Sequence, residues 1–239
     1  MKDTLGDRMK MYYEDRTRFA LPRRTYTIIR IDGKAFHTYT RGLARPFDDQ
    51  FMQDMDATAS FLCANIQGAR FGYVQSDEIS IALTDFDKLT TAAWFDGNIQ
   101  KMVSISASLA TAKFNELRPG KLAYFDSRVF TIPFQIEVEN YFIWRQQDAT
   151  RNSISNVAQS LYTHKELTNK SSDQKQELIF QKGINWNDYA PRYKRGRIIT
   201  KESFEKQGAL RNRWTVSDVP IFTQDRGFLQ KLLTPVATE

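Results

Sequence analysis

The sequence predicts an α+β fold built on an antiparallel sheet with two long helices on one face. Segments rich in β-branched and aromatic residues alternate with two long amphipathic segments, in the order β-α-β-β-α-β along residues 26–132. That order is the ferredoxin-like, split βαβ arrangement. Residues 140–239 differ because they are mainly helical and basic. We treat them as the second part of one compact unit whose first part is residues 1–139.

The first part opens with an amphipathic helix over residues 3–19, which ends before Leu21-Pro22. Residues 26–31 are β-branched and aromatic and predict the first strand, which stops at the turn signal Asp32-Gly33. A long helix is predicted over residues 48–66, because its apolar residues recur at helical spacing. These apolar residues are Phe51, Met55, Ala59 and Leu62.

The middle of the first part predicts two strands, over residues 71–74 and 79–83, joined by a hairpin turn at Ser76-Asp77-Glu78. A second long helix is predicted over 95–114, and a fourth strand over 129–132. In the βαββαβ arrangement the first and third strands are adjacent and central. The second strand is then predicted to lie at the edge of the sheet.

The second part contains three predicted helices, over residues 140–163, 172–182 and 228–233. Residues 197–200 and 214–216 are predicted to form two short strands between the second and third of these helices.

Composition excludes several kinds of site. The chain of 239 residues has one cysteine, Cys63, and two histidines, His37 and His164, so an internal disulfide or a multi-histidine zinc site is impossible. The charged N-terminus lacks the apolar core of a signal peptide, and no apolar run approaches the roughly 18 residues of a membrane span. We therefore expect a cytoplasmic protein with no membrane partner.

The charge distribution is uneven along the chain. Residues 1–139 hold 18 basic and 18 acidic residues, whereas residues 140–239 hold 16 basic and 10 acidic, so the second part carries the whole net charge of +6. Such asymmetry indicates a polyanionic partner, nucleic acid first and a membrane surface second. A basic surface that only aids solubility is the alternative.

Three carboxylates are predicted to meet at one end of the sheet. Asp32 ends the first strand and Asp77-Glu78 lie at the hairpin turn, which falls at the same end. Carboxylates without histidine or cysteine are hard oxygen ligands suited to Mg²⁺, and Gly33 could add its carbonyl and let a phosphate approach the backbone. Ordinary turn chemistry is the alternative, since Asp-Gly and Ser-Asp are common turn pairs.

Five short motifs in the same order resemble one family over nearly the whole chain. The motifs are Gly6-Asp7-Arg8-Met9-Lys10, Arg30-Ile31-Asp32-Gly33-Lys34-Ala35-Phe36-His37, Gln75-Ser76-Asp77-Glu78, Trp144-Arg145-Gln146-Gln147-Asp148 and Pro191-Arg192-Tyr193-Lys194-Arg195-Gly196. Through these motifs the sequence is similar to the tRNA-His guanylyltransferase family and its bacterial and archaeal guanylyltransferase-like relatives, which are 3′-to-5′ nucleotide polymerases.

The resemblance implies a polymerase-like palm in residues 1–139 as the catalytic part, with tRNA as partner and ATP and GTP as substrates. It implies that Asp32, Asp77 and the Gly33 carbonyl bind two Mg²⁺ ions, with Glu78 as a further catalytic, supporting residue. It also implies a homotetramer. The nucleotide-binding residues it implies are Lys34, Phe36, His37, Ala44, Arg45, Asp48, Ser76, Lys101 and Arg128.

One departure from the family pattern separates two branches. Eukaryotic members carry His-Ile-Asn-Asn after the tryptophan-containing motif, where this chain has Thr150-Arg151-Asn152-Ser153. The missing histidine is typical of the guanylyltransferase-like branch, which resembles a template-dependent repair enzyme for truncated tRNA 5′ ends.

The second part is predicted to bind RNA. Basic residues with an interleaved aromatic suit phosphate contacts and base stacking, as in the run of residues 192–197 and the cluster Arg211, Arg213 and Trp214. A solvated basic surface, or ion pairs across an oligomer interface, is the alternative. The residues predicted to contact RNA are Arg145, Arg151, Asn152, Arg192, Lys194, Arg195 and Arg197.

Together these features predict a Mg²⁺-dependent 3′-to-5′ RNA nucleotidyltransferase that repairs the 5′ end of tRNA after adenylylation. Two rivals stay open at this point. Another palm enzyme, such as a nucleotidyl cyclase, would share the carboxylates and need no RNA. A non-catalytic tRNA-binding protein would need neither carboxylates nor Mg²⁺.

Overall fold

The computed structural model describes residues 4–234. Its six strands form a single sheet in which all neighbours are antiparallel. The strands are Tyr26–Gly33 (β1), Ala69–Gln75 (β2), Glu78–Leu83 (β3), Phe125–Ile132 (β4), Arg197–Lys206 (β5) and Ala209–Asp218 (β6). Their spatial order is β4-β1-β3-β2-β5-β6, so β1 and β3 are adjacent and interior, which confirms the prediction.

Helices cover both faces of the sheet. Successive side chains of a strand point to opposite faces, and β1 buries isoleucines on both. Ile29 and Ile31 pack with the helices at residues 49–65 and 99–117, whereas Ile28 packs with those at 135–161 and 226–233. The helices are Leu5–Met9 (α1), Phe36–Tyr39 (α2), Asp49–Asn65 (α3), Ile99–Leu117 (α4), Gln135–Leu161 (α5), His164–Leu167 (α6), Ser172–Gln181 (α7), Pro191–Arg195 (α8) and Arg226–Leu233 (α9).

The edge position predicted for the second strand is wrong, because β5 pairs along the outer side of β2. The C-terminal strands β5 and β6 have ten residues each, where only the short strands 197–200 and 214–216 were predicted. Beyond Thr200 they continue past β2 as a two-stranded hairpin with mostly exposed residues. That stretch lacks a buried apolar face, so its sequence carries no alternation to reveal a strand.

The observed first residues of two helices differ from the predicted ones. α5 begins at Gln135 instead of 140, and α4 begins at Ile99 instead of 95. The side chain of Asn98 caps α4 by accepting a hydrogen bond from the Lys101 amide at 3.0 Å. Phe95 and Asp96, with φ values of 50° and 52°, form a separate turn before that cap.

The N-terminal segment is helical only in short pieces. α1 is followed by a π turn at Lys10–Glu14 and a 3₁₀ turn at Asp15–Thr17, and these three pieces contain no buried residue. The prediction of one helix over residues 3–19 is therefore wrong in its continuity, and residue 3 lies outside the described residues.

The two predicted parts share one sheet. β5 and β6 extend the sheet of the first part, and the predicted boundary between residues 139 and 140 falls inside α5. Within residues 4–234, no helix combines the length and the apolar character needed to cross a membrane.

Candidate active site

The strand pairing brings Asp32 and Asp77 to the same end of the sheet. Asp32 lies near the end of β1, and Asp77 lies in the two-residue turn between β2 and β3. The amide of Gly33 donates to the Asp77 carbonyl at 3.2 Å, which ties the turn to the end of β1. The sequence-based expectation that separate segments converge here therefore holds for these two residues.

Burial and the neighbouring charge of Asp32 make it costly to ionise Asp77. Burial, and then the negative charge of Asp32, raise the pKa of Asp77 to about 6. The nearest guanidinium to Asp32, that of Arg30, is 3.7 Å away and lies closer to Glu78, at 2.9 Å. A hard cation held by Asp32 and Asp77 would offset this repulsion with ligands of the right chemistry. The residues present therefore fit Mg²⁺.

Glu78 lies at the same end of the sheet, opposite Asp32, but its carboxylate is engaged in ion pairs, so its catalytic role stays a prediction. Arg145 donates to both oxygens of Glu78 at 2.7 and 2.8 Å, and Arg30 pairs with it at 2.9 Å. In the part of the chain that the structure describes, no group of three metal-ligating side chains is assembled. Glu78 therefore sits beside the site as a buried ion-pair partner.

Gly33 is explained by packing. A Cβ atom at this position would overlap the ring of Phe36, which is 4% exposed and stacks on Tyr39. The chain reaches that ring through Ala35, whose φ of 56° turns the backbone into α2. Packing against Phe36 is therefore one reason for a glycine at position 33. The approach of a phosphate to the Gly33 backbone stays a prediction.

A cavity of about 370 Å³ opens beside Asp77. One wall is the segment 36–52, the other is formed by α5, α8 and the start of β5. Asp48 holds the first wall in shape, because its carboxylate accepts from the amides of Ala44 at 3.0 Å and Phe51 at 2.8 Å. The predicted site residues that line the cavity are Phe36, His37, Ala44, Arg45, Asp48, Ser76, Asp77, Asn152, Arg192 and Arg197.

Three residues predicted to bind nucleotide lie outside this lining. Lys34 is exposed in the turn after β1, and Arg128 is exposed on β4 opposite Arg30. Lys101 lies in the first turn of α4, which bonds to the segment before β1 through the Ile99 amide and the Phe19 carbonyl. That places Lys101 at the far end of β1 from Asp32. Nucleotide contact by these three residues stays a prediction.

Two of the residues predicted to contact RNA are buried, so that prediction is wrong for them. Arg145 and Arg197 are each 3% exposed. Arg145 is held by Glu78 and Asp148, and Arg197 donates to Asp56 at 2.7 Å. Their guanidinium groups satisfy buried carboxylates instead of facing solvent.

The other residues predicted to bind RNA are at least partly accessible. Arg151 is half exposed and pairs with Asp148 at 2.8 Å, while Arg192 lies 3.5 Å from Asp56. Lys194 donates to the Asn187 carbonyl at 2.5 Å. Asn152 is exposed on α5 and Arg195 is partly buried in α8.

Sequence reasoning missed three polar residues that line the cavity. Gln75 is 4% exposed at the cavity, and its Oε1 has no hydrogen-bond partner among the described residues. Asn156 and Gln159 follow Asn152 on α5 and also line the cavity. Their spacing of four and seven residues from Asn152 marks one helix face, and this polar stripe was readable in the sequence.

An antiparallel sheet with two carboxylates at one end, opening onto a cavity with basic residues, is the arrangement of a palm-type site for nucleotide chemistry. A family model described as tRNAHis guanylyltransferase matches residues 6–133, and the chain belongs to that family. The resemblance carried by the five motifs is confirmed.

Curated relatives and solved structures agree with the family model. The probable tRNA(His) guanylyltransferase of Drosophila melanogaster is 31% identical over 197 residues, covering 74% of this chain and 67% of its own. The tRNA(His) guanylyltransferase of Debaryomyces hansenii is 29% identical over 211 residues, covering 79% and 77%. A bacterial tRNA(His) guanylyltransferase (Thg1)-like protein in complex with ATP is 48% identical with a TM-score of 0.87, covering 97% of this chain and 99% of its own. A bacterial tRNA(His) guanylyltransferase (Thg1)-like protein in complex with GTP is also 48% identical, with a TM-score of 0.85, covering 97% of this chain and 100% of its own.

Proposed function

We propose that the protein is a Mg²⁺-dependent 3′-to-5′ RNA nucleotidyltransferase that repairs truncated tRNA 5′ ends in a template-dependent way. The observation that carries the proposal is the position of Asp77, which belongs both to the carboxylate pair and to the lining of the cavity. The bacterial relatives in complex with ATP and GTP support a nucleoside triphosphate in that cavity.

Asp32, Asp77 and the Gly33 carbonyl are the groups that would hold two Mg²⁺ ions. When bound, Mg²⁺ lowers the pKa of an attacking hydroxyl and stabilises charge at phosphorus. The segment 36–52, held by Asp48, binds the activating nucleotide with the base and ribose near His37 and Ala44. Arg45 supplies a cationic donor for its triphosphate.

The reaction joins nucleotides to the RNA in two transfers. An oxygen of the RNA 5′-monophosphate first attacks the α-phosphorus of ATP, and pyrophosphate leaves. The 3′-hydroxyl of the incoming nucleoside triphosphate then attacks the activated 5′-phosphorus, AMP leaves and the hydroxyl proton passes to solvent. A 5′-triphosphate end needs no activation, because pyrophosphate is already its leaving group.

Residues of the second cavity wall bind the RNA 5′ end. Asn152 and Arg192 line the cavity, and Arg151, Lys194 and Arg195 lie on the same two helices, α5 and α8. Phosphate contacts of this kind set affinity and position, while pairing with the opposite strand selects the base.

We also propose a homotetramer in the cytoplasm. The segment of residues 5–19 exposes large apolar side chains that a second copy would cover. They are Leu5, Met9, Met11, Tyr12, Tyr13 and Phe19. The free, buried thiol of Cys63 agrees with a reducing compartment. Sedimentation that gives a stable monomer would contradict the tetramer.

The decisive experiment is one incubation of the protein with Mg²⁺, ATP, labelled GTP and a 5′-monophosphorylated tRNA lacking its first nucleotide. We expect label at the 5′ end, templated by the opposite strand, and a loss of at least about 100-fold in Asp77→Asn because a metal ligand is removed. Asp173→Asn, an exposed carboxylate of α7 outside the cavity lining, is the matched control and should keep full activity.

Other outcomes point to the rivals. Cyclic nucleotide formed without RNA would indicate a cyclase. Salt-sensitive tRNA binding without incorporation, also with a 5′-triphosphorylated tRNA, would indicate a binding protein.

A further inference from the structure

Glu78 occupies a position from which it could reach the metal site. It follows Asp77 in the chain and is the cross-strand partner of Asp32. Cross-strand partners stand on the same face of a sheet, with Cβ atoms roughly 5 Å apart. A free carboxylate at this position would therefore stand next to the two carboxylates that hold the cation.

The carboxylate of Glu78 is instead bound by Arg145. Arg145 donates one hydrogen bond to each oxygen of Glu78 in a bidentate pair, which is the strongest geometry between a guanidinium and a carboxylate. Its guanidinium carbon lies 4.3 Å from the centre of the Trp144 ring, and Asp148 accepts a further bond at 2.7 Å. Arg145 and Glu78 side chains are each 4% exposed, so water does not loosen the pair.

We propose that Arg145 is a positioning residue that holds Glu78 out of the coordination of the cation at Asp32 and Asp77, and thereby limits how tightly this cation is bound. The inference rests on the metal site of the proposed function. A third carboxylate would add both a ligand and a negative charge. It would also take a coordination position that substrate phosphates need, because Mg²⁺ in such sites is held by one or two carboxylates plus phosphate and water.

The test measures Mg²⁺ binding by the rise in melting temperature as Mg²⁺ is titrated into the nucleotide-free protein. Arg145→Met removes the bidentate partner of Glu78 and leaves the single contact with Arg30 at 2.9 Å, whereas Arg145→Lys keeps the positive charge but loses the bidentate geometry. We expect both variants to reach the same rise in melting temperature at Mg²⁺ concentrations at least about threefold lower, because the Glu78 carboxylate would add a ligand and a negative charge to the site. They should also add nucleotides more slowly at saturating Mg²⁺.

The carboxylate itself is tested in a second pair of variants. In Arg145→Met combined with Glu78→Gln, the Mg²⁺ concentration that gives the same rise in melting temperature should return to within about twofold of that for the unmodified protein. The double variant has neither the Arg145 guanidinium nor the Glu78 carboxylate. Glu78→Gln alone keeps Arg145 and should weaken Mg²⁺ binding far less than Asp77→Asn, which removes a ligand. Glu78→Gln with as large a loss as Asp77→Asn would show that Glu78 is a ligand and would overturn the proposal.

A purely structural ion pair gives a different result. Arg145→Lys and Arg145→Met would then lower the melting temperature of the metal-free protein and leave the Mg²⁺ requirement unchanged, which would also overturn the proposal. Failure of the proposed function is distinguishable, because the unmodified protein would then show no Mg²⁺-dependent shift and no nucleotide addition.

Discussion

Gly196 joins α8 to β5 in a backbone conformation, φ 81° and ψ −171°, that side-chain-bearing residues avoid. A Cβ atom there would lie 2.6 Å from the carbonyl oxygen of Val74 and 2.6 Å from the hydroxyl of Tyr73. Gly183, after α7, has a similar φ of 79° but no atom within 4 Å of such a Cβ. Both glycines have a positive φ, and Gly196 combines it with an extended ψ and with crowding.

We expect Gly183→Ala to lower the free energy of unfolding by about 1 kcal/mol, the cost of a positive φ. Gly196→Ala should cost at least about 2 kcal/mol, because displacement of the β2 backbone adds to the strain. Urea unfolding of both variants measures the difference. Equal losses would show that the tight contact at Gly196 relaxes without cost.

The burial of two arginine side chains could not be predicted from the sequence. Arg145 and Arg197 belong to basic motifs, and their composition indicates RNA contact. Their partners Glu78 and Asp56 lie 67 and 141 positions away in the chain, so only the fold shows that both arginines neutralise buried acids. Asp32 and Asp77 were predictable, because strand ends and a hairpin turn are local signals that the topology then brings together.

At the scale of elements, the hairpin of β5 and β6 consists of two regions with different support. Residues 197–200 pair with β2 on one side and with β6 on the other, whereas residues 201–206 pair with β6 alone. An isolated two-stranded ribbon is marginally stable in water. The outer half of the hairpin therefore depends on few interactions with the rest of the molecule.

Amide hydrogen exchange should divide the hairpin at that point. We expect amides of residues 201–206 and their partners in β6 to exchange at least about 100-fold faster than those of β1, which is paired on both sides. Mass spectrometry of peptides from the exchanged protein measures both regions in one experiment. Equal protection would mean that another surface, such as a second copy, covers the outer hairpin.

The same elements show which parts of the fold were readable. The core strands and the helices α3 and α4 have apolar residues at regular spacing, and these elements were predicted with the right type. The outer hairpin is mostly exposed on both faces, and the start of α5 exposes Ile136 and Glu137. Pattern reasoning needs a buried face, so it failed where the element has none.

At the scale of the whole molecule, the net charge of +6 is less available to RNA than the sequence suggests. Arg145 and Arg197 form ion pairs with buried acids. The cationic residues that remain from the set predicted to contact RNA are Arg151, Arg192, Lys194 and Arg195. The salt dependence of tRNA binding counts such contacts, with a slope of roughly 0.7 to 0.9 for each phosphate neutralised.

We expect the double variant Arg151→Gln/Lys194→Gln to reduce the slope of log K against log salt by about 1.5, since two contacts are lost. Lys165→Gln/Lys170→Gln removes the same charge from exposed positions near α6 and is the matched control. Binding titrations at several salt concentrations measure the slopes. An equal reduction in the control would show that net charge, and not a defined RNA surface, governs binding.

α5 is one uninterrupted helix of 27 residues that carries both Arg145, which grips Glu78, and Asn152, which faces the cavity. Each residue turns an α-helix by about 100°. A single inserted or deleted codon between these positions would swing the cavity wall away from the carboxylates, whereas a change of seven codons, about two turns, would nearly restore the facing. The stretch from Arg145 to Asn152 is therefore closed to small insertions and deletions, while the tip of the β5–β6 hairpin can change length.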